Sequence, residues 1–135
     1  MTTLKAEDLA KLRELAQKAT PGPWAVDQQC TVGPVSDEDD QTYGMVISLA
    51  DVYGEQPLVD AAFIAAANPA AILALVKDAS RYRAWRACVL TEDESFVTAM
   101  DAALPEEAQG DRFPTADEWD AGIDAAIATQ GESNV

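Results

Sequence analysis

An asparagine and a proline impose the strongest constraint on this chain. Asn68-Pro69 interrupts its longest apolar region, Ala61 to Val76. Proline has no N–H to give to the preceding turn and its ring collides with that turn, so one helix cannot run through residue 69. A new helix can begin there instead, with Asn68 as N-cap and Pro69 as first residue, where the missing N–H is harmless. The interrupted region also falls short of the roughly 20 apolar residues that span a bilayer, so no membrane segment is expected. Two helices follow from this break. A short one, capped by Asp60, should reach about Ala67. A long one should run from Pro69 to about Leu90, roughly 30 Å, with Ile72, Leu75, Val76, Ala79, Tyr82 and Val89 at spacings of three, four and seven.

Upstream, Leu9, Leu12, Leu15, Ala16 and Ala19 recur at helical spacing opposite Lys11, Glu14 and Lys18. An amphipathic helix starting near Thr3, a suitable N-cap, must stop at Thr20, because Pro21 disfavours helical geometry in the residue before it. Pro21-Gly22-Pro23 suits a turn with glycine at a positive-φ corner. Trp24, Val26, Cys30 and Val32 fit an extended segment, weakened at Asp27-Gln28-Gln29, and Tyr43 to Leu49 is a second strand candidate. A hairpin or three-stranded antiparallel sheet is expected, with a second turn at residues 53–57. Downstream, Thr91-Glu92-Asp93-Glu94 and Thr115-Ala116-Asp117-Glu118 each read as a capping box opening a helix. The first helix uses Phe96, Val97, Met100 and Leu104; the second uses Trp119, Ile123 and Ile127. The fold class is therefore α+β: an N-terminal helix, a small antiparallel sheet or hairpin, then a mainly helical second half with one long helix. Residues 1–90 are expected to form an α+β domain, and 91–135 an acidic helical extension packed on or beside it.

Charge and missing residue types restrict function further. Nine Lys and Arg stand against 24 Asp and Glu, a net charge of −15, and there is no histidine. The field repels polynucleotide phosphates and anionic membranes, so direct nucleic-acid binding is not expected. Without imidazole, Ser-His-Asp and Cys-His catalysis and His-based metal sites are excluded. Cys30 and Cys88 have no CxxC spacing and read as small core residues of a cytosolic protein. No GxGxxG, Walker, GxSxG or SxxK pattern occurs, and the many carboxylates offer no identifiable catalytic pair. Neither an enzyme, a metal nor a cofactor is expected. The charge is uneven: residues 61–90 carry four basic groups and one acidic, whereas residues 91–135 carry twelve acidic and one basic.

Two stretches carry a resemblance. Residues 12–24, Leu-Arg-Glu-Leu-Ala-Gln-Lys-Ala-Thr-Pro-Gly-Pro-Trp, precede a β-like insert. Residues 60–75, Asp-Ala-Ala-Phe-Ile-Ala-Ala-Ala-Asn-Pro-Ala-Ala-Ile-Leu-Ala-Leu, follow it. In this order the pair resembles the Ead-like family of accessory proteins of tailed phages and prophages, over residues 9–90 with gaps. The resemblance implies a nonessential early-region product with no catalytic motif to carry over. Pro21, Gly22 and Pro23 would form a turn, Trp24 a core anchor and Asn68-Pro69 a helix junction. It does not extend to the tail from Thr91 onward.

Individual constellations have plain readings beside the sharper ones. Asp37-Glu38-Asp39-Asp40 fails the calcium-loop pattern, with Thr42 and Ser48 where glycine and glutamate are required, and reads as a solvated loop. Lys77, Arg81, Arg83 and Arg86, interleaved with Tyr82 and Trp85, could hold a small anion; they could equally pair with the chain's own acid or with another subunit. Trp24, Trp85 and Trp119 read as one packing anchor per structural unit. Taken with the resemblance, these features lead to a non-catalytic phage or mobile-element protein in the bacterial cytoplasm that binds and inhibits a host factor. Glu106, Glu107, Asp111, Asp117, Glu118, Asp120 and Asp124 would enter a basic groove of that host protein, reproducing part of a phosphate field. The alternatives are a homo-oligomeric scaffold or regulator joined through the long helix, and sequestration of a small anionic ligand. A highly acidic surface also serves solubility alone.

Overall fold

The computed structural model describes residues 4–27, 29–35, 45–49 and 56–132. The elements run α1 (Ala6–Lys18), β1 (Trp24–Val26), β2 (Thr31–Pro34), β3 (Ile47–Ser48), α2 (Gln56–Ala66), α3 (Pro69–Thr91), α4 (Glu94–Ala103), a 3-10 turn (Glu106–Ala108) and α5 (Ala116–Glu132). This is the expected α+β order, with a three-stranded antiparallel sheet and one long helix. The chain divides into two compact units, residues 1–76 and 77–135. The division falls within α3. The cause is local: the second half of α3 supplies Cys88, Ala84 and Trp85 to the core built by α4 and α5.

In the first unit, β1 and β2 pair antiparallel with Val26 opposite Val32, and β3 adds to β2 with Ile47 opposite Val32. The extended segment expected over 24–32 is instead a hairpin. Asp27 closes it: its carboxylate accepts from the N–H groups of Gln29 (2.8 Å) and Thr31 (2.9 Å), and its own N–H donates to the Thr31 carbonyl at 3.0 Å. Cys30 takes a left-handed φ of 56° there, in a position that glycine commonly fills. The sheet's apolar face meets α2, so Val32, Ala61 and Ala65 are buried among Trp24, Val26, Cys30, Leu49 and Ile64.

The Pro-Gly-Pro-Trp turn departs from expectation in its cause. Gly22 does not adopt a positive φ; its missing side chain makes room for the Trp24 ring. A Cβ at residue 22 would lie 2.4 Å from Trp24 Cδ1, and the indole N–H donates to the Thr20 carbonyl at 3.0 Å. The α1 helix starts at Ala6, with Asp8 accepting from the Lys5 N–H at 2.7 Å; the cap expected at Thr3 lies outside the described residues. So do the acidic loop Asp37–Asp40 and most of the 53–57 turn. Asp60 lies within α2, which begins at Gln56, and so does not cap it. At the next junction Asn68 accepts from the Ala71 N–H at 3.1 Å, capping α3. Among the described residues, no single helix is long and apolar enough to cross a membrane.

In the second unit, Phe96 and Met100 of α4 and Ile123 and Ala126 of α5 enclose Cys88. Gly122 sets the closeness of α4 and α5: a Cβ there would meet Met100 Cγ at 2.9 Å and the Met100 carbonyl at 3.2 Å. The start of α4 corrects the sequence reading. Thr91 still belongs to α3, donating its hydroxyl to the Ala87 carbonyl at 2.9 Å. Glu92 takes a left-handed φ of 50°, and the Asp93 N–H returns to the Cys88 carbonyl at 3.1 Å, which ends α3 in a Schellman turn. Asp93 is the N-cap of α4, accepting from the N–H groups of Ser95 (3.1 Å) and Phe96 (3.0 Å). The second expected capping box is present: Thr115 and Glu118 exchange bonds of 3.3 and 2.8 Å ahead of α5.

Candidate functional site

The second unit holds every charged residue proposed from the sequence as a partner-binding or anion-pairing site, and their environments differ. Helical spacing places Asp117, Asp120 and Asp124 on adjoining turns of α5. Arg81, on α3, reaches two of them. Its Nε and Nη2 donate to the two Asp124 oxygens at 2.8 and 2.7 Å, a bidentate fork, while Nη1 donates to Asp120 at 2.7 Å and to Asp78 at 3.2 Å. Lys77 Nζ adds a fifth contact, 3.0 Å from Asp124. The Arg81 side chain is only 14% exposed, so these pairs are partly shielded from water. Hydrogen bonding from Arg81 holds Asp124 down at about pKa 2, and Asp124 in turn raises Arg81 above its ordinary value.

A second fork braces the segment before α5. Arg112 donates to both Glu118 oxygens, at 2.8 and 2.7 Å, and Glu118 also caps Thr115. Those contacts, Arg112 first, bring the Glu118 carboxyl to about 2. Asp120, Asp124 and Glu118 thus carry intramolecular partners. Glu106, Glu107, Asp111 and Asp117 are exposed, and among the described residues none is within salt-bridge distance of a basic group. Within the same stretch, Phe113 is 93% exposed and, with Ala108, Gly110, Asp111, Arg112 and Pro114, lines a shallow depression of about 380 Å³. The sequence reading did not select Phe113 or Arg112. Their signal was compositional: one basic and one large apolar residue inside an otherwise acidic segment.

The remaining basic residues do not gather into one anion site. Arg86 stacks over the Tyr82 ring, 5.6 Å from its centre, and Arg83 is half-buried on the same helix. Trp85 and Trp119 meet edge to face, with centres 5.4 Å apart at 70°, so two of the three tryptophans lie together in the second unit instead of one in each structural unit. Beside Trp85, an open apolar groove of about 450 Å³ runs over Cys88, Val89 and Val97, rimmed by Glu92 and Glu94. Cys30 and Cys88 are both free thiols. Among the described residues, no three acidic or cysteine side chains converge as metal ligands.

Residues 7–120 match the family model described as Ead/Ea22-like protein, which covers the helix, turn and helix-junction motifs and extends past residue 90 into the acidic region. No curated protein and no solved structure matches the chain.

Proposed function

We propose, for a chain that belongs to the phage-associated Ead/Ea22-like family, a non-catalytic accessory role: binding and inhibiting a host factor inside the bacterium. The target is a defence or nucleic-acid-handling protein with a basic groove. The observation that carries this reading is an almost wholly exposed aromatic, Phe113, in the same stretch as the exposed carboxylates Glu106, Glu107, Asp111 and Asp117. Exposed carboxylates outside a salt bridge remain available to a basic surface and steer its approach. An exposed aromatic supplies what charge alone lacks, a side chain that gains by being desolvated in a partner's pocket. Glu118, Asp120 and Asp124 play a supporting part, because their charges are already matched by Arg112, Arg81 and Lys77. The unit's folded frame thereby presents the free acid on a fixed backbone, which lowers the ordering cost of binding.

The test is a set of two variants used as bait in host lysate, with bound proteins identified by mass spectrometry and affinities then measured across salt. The quadruple change Glu106→Gln, Glu107→Gln, Asp111→Asn and Asp117→Asn should release the partner that the natural chain retains at low salt. Phe113→Ala should weaken it at least tenfold while leaving the salt dependence unchanged. Retention of the same partner by the quadruple variant at low salt refutes the acidic-surface reading.

A further inference from the structure

The long helix carries a second surface that the acidic segment does not use. Leu75, Tyr82 and Val89 are 65%, 63% and 56% exposed, and they recur every seven residues along α3. At 3.6 residues per turn, such positions stay within about 20° of one line down the helix. Apolar side chains repeated every seven residues fill one of the two seam positions through which helices pair. The charges flanking it say which partner fits. Asp78 lies four residues before Tyr82 and Arg86 four residues after it, and both are exposed.

We infer that α3 pairs with α3 of a second copy of this chain, antiparallel, about a two-fold axis at Tyr82. In that register each pairing is complementary and occurs twice. Leu75 meets Val89 of the other copy, Asp78 meets Arg86, and the two Tyr82 rings meet at the axis. Such self-complementarity is the property of an isologous interface. Parallel pairing would set Asp78 against Asp78 and Arg86 against Arg86. Arg86 is already held over the Tyr82 ring, so little side-chain freedom is lost when it finds the second copy's Asp78. Asp78 pairs with Arg81 at 3.2 Å, and its side chain is 71% exposed, which leaves oxygen surface for a second partner.

The extent of the stripe sets the strength. Covering the three apolar side chains and their neighbours removes on the order of 400 Å² per copy, about 800 Å² in all, below the range of stable dimers. Association is therefore weak and concentration-dependent. Two copies of net charge −15 also repel at long range, so the equilibrium is best read in ~0.3 M NaCl, where that repulsion is screened but contact pairs persist.

Sedimentation equilibrium of the full chain between about 5 and 500 μM tests the inference. The natural sequence should pass from monomer to dimer. Asp78→Lys and Arg86→Asp should each weaken dimerisation at least tenfold, since each sets like charges face to face. An equimolar mixture of the two variants should recover it, because every facing pair is then opposite in sign. Tyr82→Arg, at the exposed centre, should abolish it with helicity by circular dichroism unchanged. A chain that stays monomeric at 500 μM overturns the inference, as do charge reversals without effect or a mixture that fails to recover.

Discussion

Asp124→Asn removes the centre of the ion-pair cluster joining α3 to α5. In the folded chain the Asp124 carboxyl is held near 2, against 3.8 for an unperturbed aspartate, chiefly by the Arg81 fork. A depression of that size corresponds to at most about 2.5 kcal/mol of stability at neutral pH. One third of the Asp124 side chain remains in contact with water, and screening reduces the expected loss to about 1–2 kcal/mol. The sign of the pH dependence follows from the direction of the shift. The folded form binds the proton less readily than the unfolded form, so the contribution is complete above pH 4 and disappears as pH falls through about 2. Urea unfolding of the natural chain and the variant at pH 7, 5, 3 and 2 measures it, and Asp117→Asn, an exposed unpaired site, serves as reference. The difference should be 1–2 kcal/mol at pH 7 and 5 and shrink to about 0.5 or less at pH 2. A difference that is equally large at pH 2 and pH 7 would falsify the assignment to charge pairing, and one below about 0.5 at pH 7 would show that solvent screens the cluster fully.

Two further changes test the backbone reasoning. Glu92→Gly should stabilise the chain by about 1 kcal/mol in the same denaturation assay, because glycine accepts the left-handed turn that ends α3 without the Cβ penalty. Gly122→Ala should lower stability by about 1 kcal/mol although alanine is the better helix former, since the new methyl must push Met100 and its carbonyl away; Gly122→Val should cost more.

Much of the framework is written locally. Asn68-Pro69 places a helix boundary because proline and its cap act within one turn, and the structure begins α3 at that proline. Thr115 to Glu118 likewise opens α5 through contacts three residues apart. Thr91 shows the limit of such reasoning. Its spacing to Glu94 has the form of a capping box, but Glu92 takes the left-handed turn, Asp93 supplies the cap and Thr91 stays in the preceding helix. Both registers satisfy the spacing, and the choice between them is made by where Cys88 and Phe96 must sit to share a core. Glycine 22 is similar: the turn was legible, yet its reason, a tryptophan ring folded over the α carbon, is a contact in space.

For the acidic segment the division is sharper. Composition alone fixed the excess of carboxylate after residue 90 and the basic character of the helix before it, since charge is a property of the residue list. Which carboxylates are matched was settled by packing, which carries Asp120 and Asp124 some forty positions back along the chain to Arg81 and leaves Glu106, Glu107, Asp111 and Asp117 facing water. Periodicity and capping report forces that act within a turn. The fork on Arg81 depends on two helices meeting, and no spacing along the chain encodes that distance.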